Sequence, residues 1–246
     1  MSESEFAHTV TSFGIELRTL DAAVGNMLRL AQTQLSLVVD SVANRDAAAA
    51  AEALAMKDEL DHLNEVINDQ SVRVLALRQP LADDLRSVVT ALKVAGMLDR
   101  VGDYGAEAAE RAQQLVAGPE IPVHGTIRRM GSLVRDMYVD AADAFLSRDP
   151  LLAKSVWARD EEVDAVHSGL FRELLTYMLE DPRLISSCSH LLFISKTVER
   201  YGDQATNIAE AAYYRTTGYP MEGERPKGDV STLMAVGSDP DDILPL

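Results

Sequence analysis

The chain has 246 residues, a net charge of −16 and one cysteine, Cys188. That charge argues against general nucleic-acid binding, which needs basic surface to displace phosphate counterions, and against unaided adsorption to an anionic membrane. A lone cysteine excludes an internal disulfide framework and suits a reducing compartment. Apolar residues are 47% of the chain but aromatics only 5%, so alanine, leucine and valine carry the core, which favours closely packed helices over a sheet. The length allows one large domain or two of about 120 residues. Met1 to Glu5 is polar and acidic, no secretory pattern is visible, and no apolar run approaches the ~18 residues of a membrane span. The expectation is a soluble, cytoplasmic protein whose acidic surface serves solubility, a basic partner or bound cations.

From Phe13 an apolar series runs through Leu17, Leu20, Val24, Leu28, Ala31, Leu35, Val38 and Val42. Its alternating steps of three and four predict a long first helix. Asn44-Arg45-Asp46 breaks the series, and Asp46 is a suitable N-cap for a second helix running from Ala47 to about Arg78. Gln79-Pro80 marks the next boundary, with Pro80 near the first turn of a third helix that reaches about Val116. The Pro- and Gly-rich stretch from Ala117 to Gly125 reads as a linker. The pattern then restarts. A fourth helix is predicted from about Thr126 to Ser147, a fifth from the Asp149-Pro150 cap to about Glu180, and a sixth from Asp181-Pro182 to near Thr216–Gly218. The tail from Tyr219, rich in Pro, Gly and acids, is expected to be mostly disordered.

The restart is an internal duplication. Arg45-Asp46 corresponds to Arg148-Asp149, and Asp58-Glu59-Leu60-Asp61 to Glu161-Glu162-Val163-Asp164, both at an offset of 103. Short connections imply antiparallel neighbours, so the fold class is all-α, two tandem three-helix bundles. The expected divisions are a first bundle over 1–117, a linker over 118–125, a second bundle over 126–218 and a tail over 219–246.

Each third helix carries an acidic stripe. One is Asp99-Arg100-Val101-Gly102-Asp103, extending to Glu110; the other is Glu199-Arg200-Tyr201-Gly202-Asp203, extending through Asn207 to Glu210. Positions i, i+4, i+8 and i+11 share one helix face, and like charges at i,i+4 cost roughly 0.2–0.5 kcal/mol per pair unless something offsets them. If the helices on either side of each turn are antiparallel, Asp99 lies level with about residue 60 and Asp103 with about 56. Likewise Glu199 lies level with about 165 and Asp203 with about 161. Two clusters follow: Asp58, Asp61, Asp99 and Asp103, then Glu161, Asp164, Glu199 and Asp203. Oxygen donors in such numbers suit magnesium, manganese, calcium or iron. Alternatively the acids face water and pair with Arg100, Arg200, Lys57 or Lys196. Gly102 and Gly202 each cost about 1 kcal/mol of helix propensity, which suggests close approach of a neighbouring helix. Glu59-x-x-His62 and Asp164-x-x-His167 resemble the carboxylate–histidine pairs of ferritin-like di-iron proteins, which would imply a carboxylate-bridged di-metal enzyme or a metal-storage protein. Their offset of 105 differs from that of the surrounding repeat, so the two pairs are not equivalent. His8, His124 and His190 have no partner spacing, Trp157 and Tyr177 fall on core faces, and no nucleophile or phosphate-loop motif is present.

Together these residues resemble the PhoU family of bacterial phosphate-transport accessory and regulatory proteins. The resemblance rests on Glu199-Arg200-x-Gly202-Asp203-x-x-x-Asn207-Ile208, on Asp99-Arg100-x-Gly102-Asp103, and on Leu77-Arg78-Gln79-Pro80-x-Ala82-x-Asp84-Leu85-Arg86. It covers roughly residues 5 to 216. The resemblance implies a cytoplasmic homodimer that is not an enzyme. It also implies an acid-x-x-x-Asp metal motif in each half, here Asp99/Asp103 and Glu199/Asp203, taking divalent or trivalent ions such as iron, manganese, magnesium or zinc. The first motif opens with Asp where the family pattern has Glu. The implied role is to dampen phosphate uptake and the phosphate-starvation response through the ATPase subunit of the phosphate ABC transporter and a sensor histidine kinase. The membrane is then met only through those partners.

Overall fold

The structure is a computed structural model in which residues 3–223 are described, with side chains from Phe13 onward. The expectation for the tail falls largely outside the described residues. Seven helices appear among them: α1 (Glu3–Asn44), α2 (Ala47–Arg78), α3 (Ala82–Ala117), α4 (His124–Ser147), α5 (Pro150–Trp157), α6 (Asp160–Glu180) and α7 (Ile185–Thr217). No described helix is long and apolar enough to cross a membrane. The apolar series of α1 is the stripe that is buried: Leu20, Val24, Leu28, Ala31, Leu35, Val38 and Val42 all lie in the core.

The duplication reaches down to backbone dihedrals. Arg45 and Arg148 both adopt the left-handed conformation that ends a helix, at φ 54° and 57°. A non-glycine residue there costs roughly 1–2 kcal/mol. The Arg45 guanidinium offsets part of this by donating to Val116 O (2.7 Å) and Gly118 O (2.6 Å), carbonyls that the end of α3 would otherwise leave without partners. Each arginine is followed by an aspartate that starts the next helix. Asp46 Oδ1 accepts from Ala48 N (2.8 Å) and Ala49 N (3.2 Å), and Asp149 Oδ1 from Leu151 N (2.9 Å) and Leu152 N (3.1 Å).

Four boundaries differ from the sequence reading. Helix α1 starts before Phe13. Pro80 precedes α3 rather than sitting in its first turn, because Leu81 is the extended residue that enters the helix. The single helix expected from Asp149 to Glu180 is broken into α5 and α6. At the break Arg159 N turns back to Val156 O (3.0 Å), a tight closure that stops the α-helical ladder. The two residues at the break are then held from opposite sides. Arg159 pairs with Asp140 of α4, while Asp160 turns inward and accepts from Thr206 Oγ1 of α7 at 3.2 Å. A shorter irregularity precedes α7, where Pro182–Leu184 forms a 3-10 turn capped by Asp181.

Helices α1–α3 form one three-helix unit; α4, the α5–α6 pair and α7 form the second. The units share one core, with α3 packed along α7 and α1 along α4. Arg215, 2% exposed, joins them. Its Nη2 donates to the two carboxylate oxygens of Asp21 (2.6 and 2.7 Å), its Nη1 donates to Phe145 O (3.2 Å), and its guanidinium lies 4.4 Å from the Phe145 ring.

Candidate functional site

The duplicated motifs meet at the α3–α7 contact. Tyr201 Oη donates to Gln34 Oε1 (2.8 Å), and Gln34 Nε2 donates to Ala53 O (3.1 Å) and Gly102 O (3.3 Å). Tyr201 and Gln34 are both fully buried, so this chain of hydrogen bonds satisfies polar groups that have no water to turn to. It runs from the second motif, through α1, to the backbone of the first. Arg200 spans the same contact on the outside, its guanidinium 5.2 Å from the Tyr104 ring. Packing is tight at Gly102, where a Cβ would stand 3.0 Å from Leu60 Cδ1 and 3.3 Å from Leu60 Cβ of α2. At Gly202 the same substitution would meet only ordinary contacts with Val163 and Val134.

In the first half the predicted register holds to within a turn, and what it brings together is a lysine and two acids. Lys57 Nζ lies 2.6 and 2.8 Å from the two carboxylate oxygens of Asp61 and 2.9 Å from Asp103 Oδ1. The hydrogen bonds that Lys57 donates to Asp61 and, second, to Asp103 drive the ammonium well above its ordinary pKa. Lys57 therefore bridges α2 and α3 as a fixed cation. Asp58 and Glu110 are exposed, Asp99 is half-buried and Arg100 points to solvent.

The second half is more enclosed. Asp160, Asp164 and Glu199 are 3%, 5% and 5% exposed, Asp203 is half-buried and Glu161 is exposed. Lys196 Nζ reaches Glu199 Oε2 at 2.9 Å from one turn earlier on the same helix. Burial pushes the Glu199 carboxyl up to about 7; Lys196 opposes the shift, and the neighbouring Asp203 and Asp164 add to it. Asn207 and Glu210 lie beyond the acids. Glu210 accepts from Trp157 Nε1 at 2.9 Å, and with Lys93, Asn207 and Tyr214 these residues line an open cleft.

Among the described residues, no three His, Cys, Asp or Glu side chains are arranged to hold one metal ion. In the first half Lys57 Nζ lies between the carboxylates of Asp61 and Asp103. The second half has the donor chemistry for a hard cation, with three buried acids drawn from α6 and α7. The carboxylate–histidine pairs part company in the structure: Glu59 and His62 are exposed on α2, whereas His167 is buried with Nδ1 3.1 Å from Ser195 Oγ. Three residues escaped the sequence reading. Asp160 carries the 103-residue offset from Lys57 and could have been found by extending the repeat alignment one residue. Gln34 and Tyr201 lie on apolar faces and gave no local signal of their partnership.

The chain is similar to known proteins over most of its length. A family model described as "PhoU domain" matches twice, over residues 24–112 and 127–212. The chain is 44% identical over 224 residues to a phosphate-specific transport system accessory protein PhoU homolog of Caulobacter vibrioides, covering 91% of this chain and 97% of that one. It is 40% identical to the protein of the same description from Rhizobium meliloti, with 95% and 99% covered. Among solved structures, PhoU from Pseudomonas aeruginosa superposes with a TM-score of 0.81 at 36% identity, covering 84% of this chain and 100% of that one. The phosphate transport system regulatory protein PhoU from Streptococcus pneumoniae gives 0.78 at 26% identity, with 85% and 99% covered. With both repeats matched and the helices superposing over nearly the whole of each neighbour, the chain belongs to the PhoU family.

Proposed function

We infer that the protein is an accessory and regulatory component of phosphate transport. The observation that carries this is the near full-length similarity to PhoU homologues, with both domain copies intact. In its finer form, the protein is a cytoplasmic homodimer that limits phosphate uptake and dampens the starvation response when phosphate is plentiful. It does so as an adaptor, contacting the ATPase subunit of the phosphate ABC transporter and a sensor histidine kinase. The activity is binding and signalling, not catalysis. Two features support an adaptor: a single core that fixes the halves relative to one another, and two acidic faces on that rigid body. A divalent or trivalent cation would be held by Asp164, Glu199 and Asp203 with Asp160 behind them, neutralising a face that like charges otherwise destabilise. Iron, manganese, magnesium and zinc all suit such donors.

The test is a phosphatase reporter of the starvation response, measured in high phosphate in a strain lacking the gene. Expression should rise without starvation and return to the basal level when the wild-type gene is restored. An unchanged reporter would refute the regulatory reading.

A further inference from the structure

We propose that the cleft between α3, α5 and α7 is a recognition site for an extended peptide that presents an unbranched apolar side chain followed by an acid. In this structure residues 220–223 of the chain itself occupy it, as a segment that such a peptide would displace.

The cleft has a volume of about 420 Å3, and its walls include Met97 of α3, Trp157 of α5 and Tyr214 of α7. The end of α7 directs the chain into it. Gly218 adopts the left-handed conformation at φ 79°, and its N–H donates to Tyr214 O at 2.9 Å, which closes the helix. Thr217 Oγ1 then accepts from Tyr219 N (3.2 Å) and donates to Tyr219 O (3.1 Å). Beyond this turn Pro220, Met221 and Gly223 line the cleft beside Glu210 and Tyr214, so the chain has folded back along α7. Met221 is half-buried against the core. A Cβ at Gly223 would stand 3.5 Å from Cη2 of Trp157, the ring whose Nε1 donates to Glu210 two turns before the helix ends.

The seated segment fills this cleft incompletely. Among the described residues no backbone–backbone hydrogen bond ties residues 220–223 to the helices they cross, so Met221 and the contact with Trp157 hold the segment in place. Thr90 also lines the cleft; its side chain is 1% exposed, and its Oγ1 has no hydrogen-bond partner. A buried hydroxyl in that state favours any ligand that supplies a partner. Lys93 is exposed on the rim with Nζ 5.8 Å from the Tyr214 ring, whereas Glu210 is already engaged by Trp157. Lys93 is therefore the charge that an entering acid would meet. Aromatic walls, an apolar contact and one cation suit a Met–acid pair in an extended chain, and Met221-Glu222 is such a pair. Tethered to α7, this pair has an effective concentration on the order of millimolar, so a free peptide must compete with it.

Trp157 is the only tryptophan in the sequence, and its fluorescence therefore reads the cleft directly. The experiment titrates a labelled peptide of residues 216–225 into full-length wild type and Met221→Ser, followed by anisotropy and by acrylamide quenching of Trp157. Met221→Ser should quench more readily than wild type and should bind the peptide about tenfold or more tightly, because its own segment competes less. Bound peptide should restore the protection of Trp157. A peptide carrying the Met221→Ser change should bind about tenfold or more weakly than the unaltered one. In the Met221→Ser protein, Lys93→Glu should weaken the peptide several-fold and a Glu222→Lys peptide should recover the loss; no recovery would overturn the part assigned to the acid. Glu222→Lys in the full chain, an exposed change that leaves the core intact, should act in the same direction as Met221→Ser. Wild-type quenching in both full-length variants would overturn the proposal. So would equal peptide affinity in wild type and Met221→Ser, or no binding to Met221→Ser at millimolar peptide.

Discussion

Gly105 offers the sharpest test of how the two halves are joined. It sits on α3 where that helix crosses α7, and a Cβ there would come closer than 3.0 Å to Tyr201 Oη and to Gln34 Cδ and Oε1. Neither neighbour can retreat cheaply, because both are fully buried and hydrogen-bonded to each other. Forcing a methyl into such a contact costs about 1–3 kcal/mol. If the Tyr201–Gln34 bond breaks, two buried polar groups lose their partners, at about 1–3 kcal/mol more. Alanine recovers about 1 kcal/mol through its better helix propensity. The net expectation for Gly105→Ala is a loss of about 2–4 kcal/mol. At roughly 2–4 °C per kcal/mol for a chain of this size, the melting temperature should fall by about 5–15 °C. The control lies on the same helix: a Cβ at Gly96 would meet nothing within 4 Å. Gly96→Ala should therefore stabilise by about 0.5–1 kcal/mol. Urea unfolding followed by circular dichroism reads both, as midpoints moving in opposite directions at similar slope. A Gly105→Ala protein as stable as wild type would refute the reasoning, since it would show that α3 and α7 do not close on the Tyr201–Gln34 pair.

Two further predictions concern the frame. Arg215→Met should cost about 3–5 kcal/mol, because it strands Asp21 and removes the donor to Phe145 O. Adding Asp21→Asn should recover part of that loss, and urea midpoints that show no recovery would count against the ion pair as its source. Asp46→Ala and Asp149→Ala should each cost about 1 kcal/mol, while the asparagine variants keep most of the capping bond. Equal stability of the alanine and asparagine variants would argue against these caps.

The fold was legible because its signals are local and repeated. The stripe of α1, the capping aspartates and the turn at Gln79-Pro80 each announce themselves within a few residues, and the second half says most of it again. The break at Arg159 was not legible. Neither Gly nor Pro lies within eight residues of Arg159, and the interruption depends on Asp140 and Thr206, which are 19 and 46 residues from their partners. The same reasoning applies to the acidic faces. The i,i+4 spacing placed the carboxylates on one side of their helix, and antiparallel pairing set them level with α2 and α6. Which neighbour would neutralise them was a tertiary matter. Both Lys57 and Lys196 were among the candidate counterions, but only the folded chain shows Lys57 joining carboxylates of two helices and Lys196 reaching Glu199.

Three consecutive residues on α7 show why the acidic face and the joint between the halves cannot be altered independently. Successive side chains on a helix turn by about 100°, so Glu199, Arg200 and Tyr201 leave the axis in three directions. Glu199 feels Asp164 of α6, Arg200 covers Tyr104 of α3, and Tyr201 reaches Gln34 of α1. One turn of helix therefore touches three other helices, two of them in the opposite half. A cation drawn to the carboxylates would act on the residue next to that joint, and a strained joint would in turn shift the carboxylates. In the first motif Val101 stands where Tyr201 does, and its side chain is fully buried with no polar group to offer. The connection thus runs in one direction, from the second motif into the first half, and the half that reaches across is also the one with Asp160 at the position where the first half has Lys57.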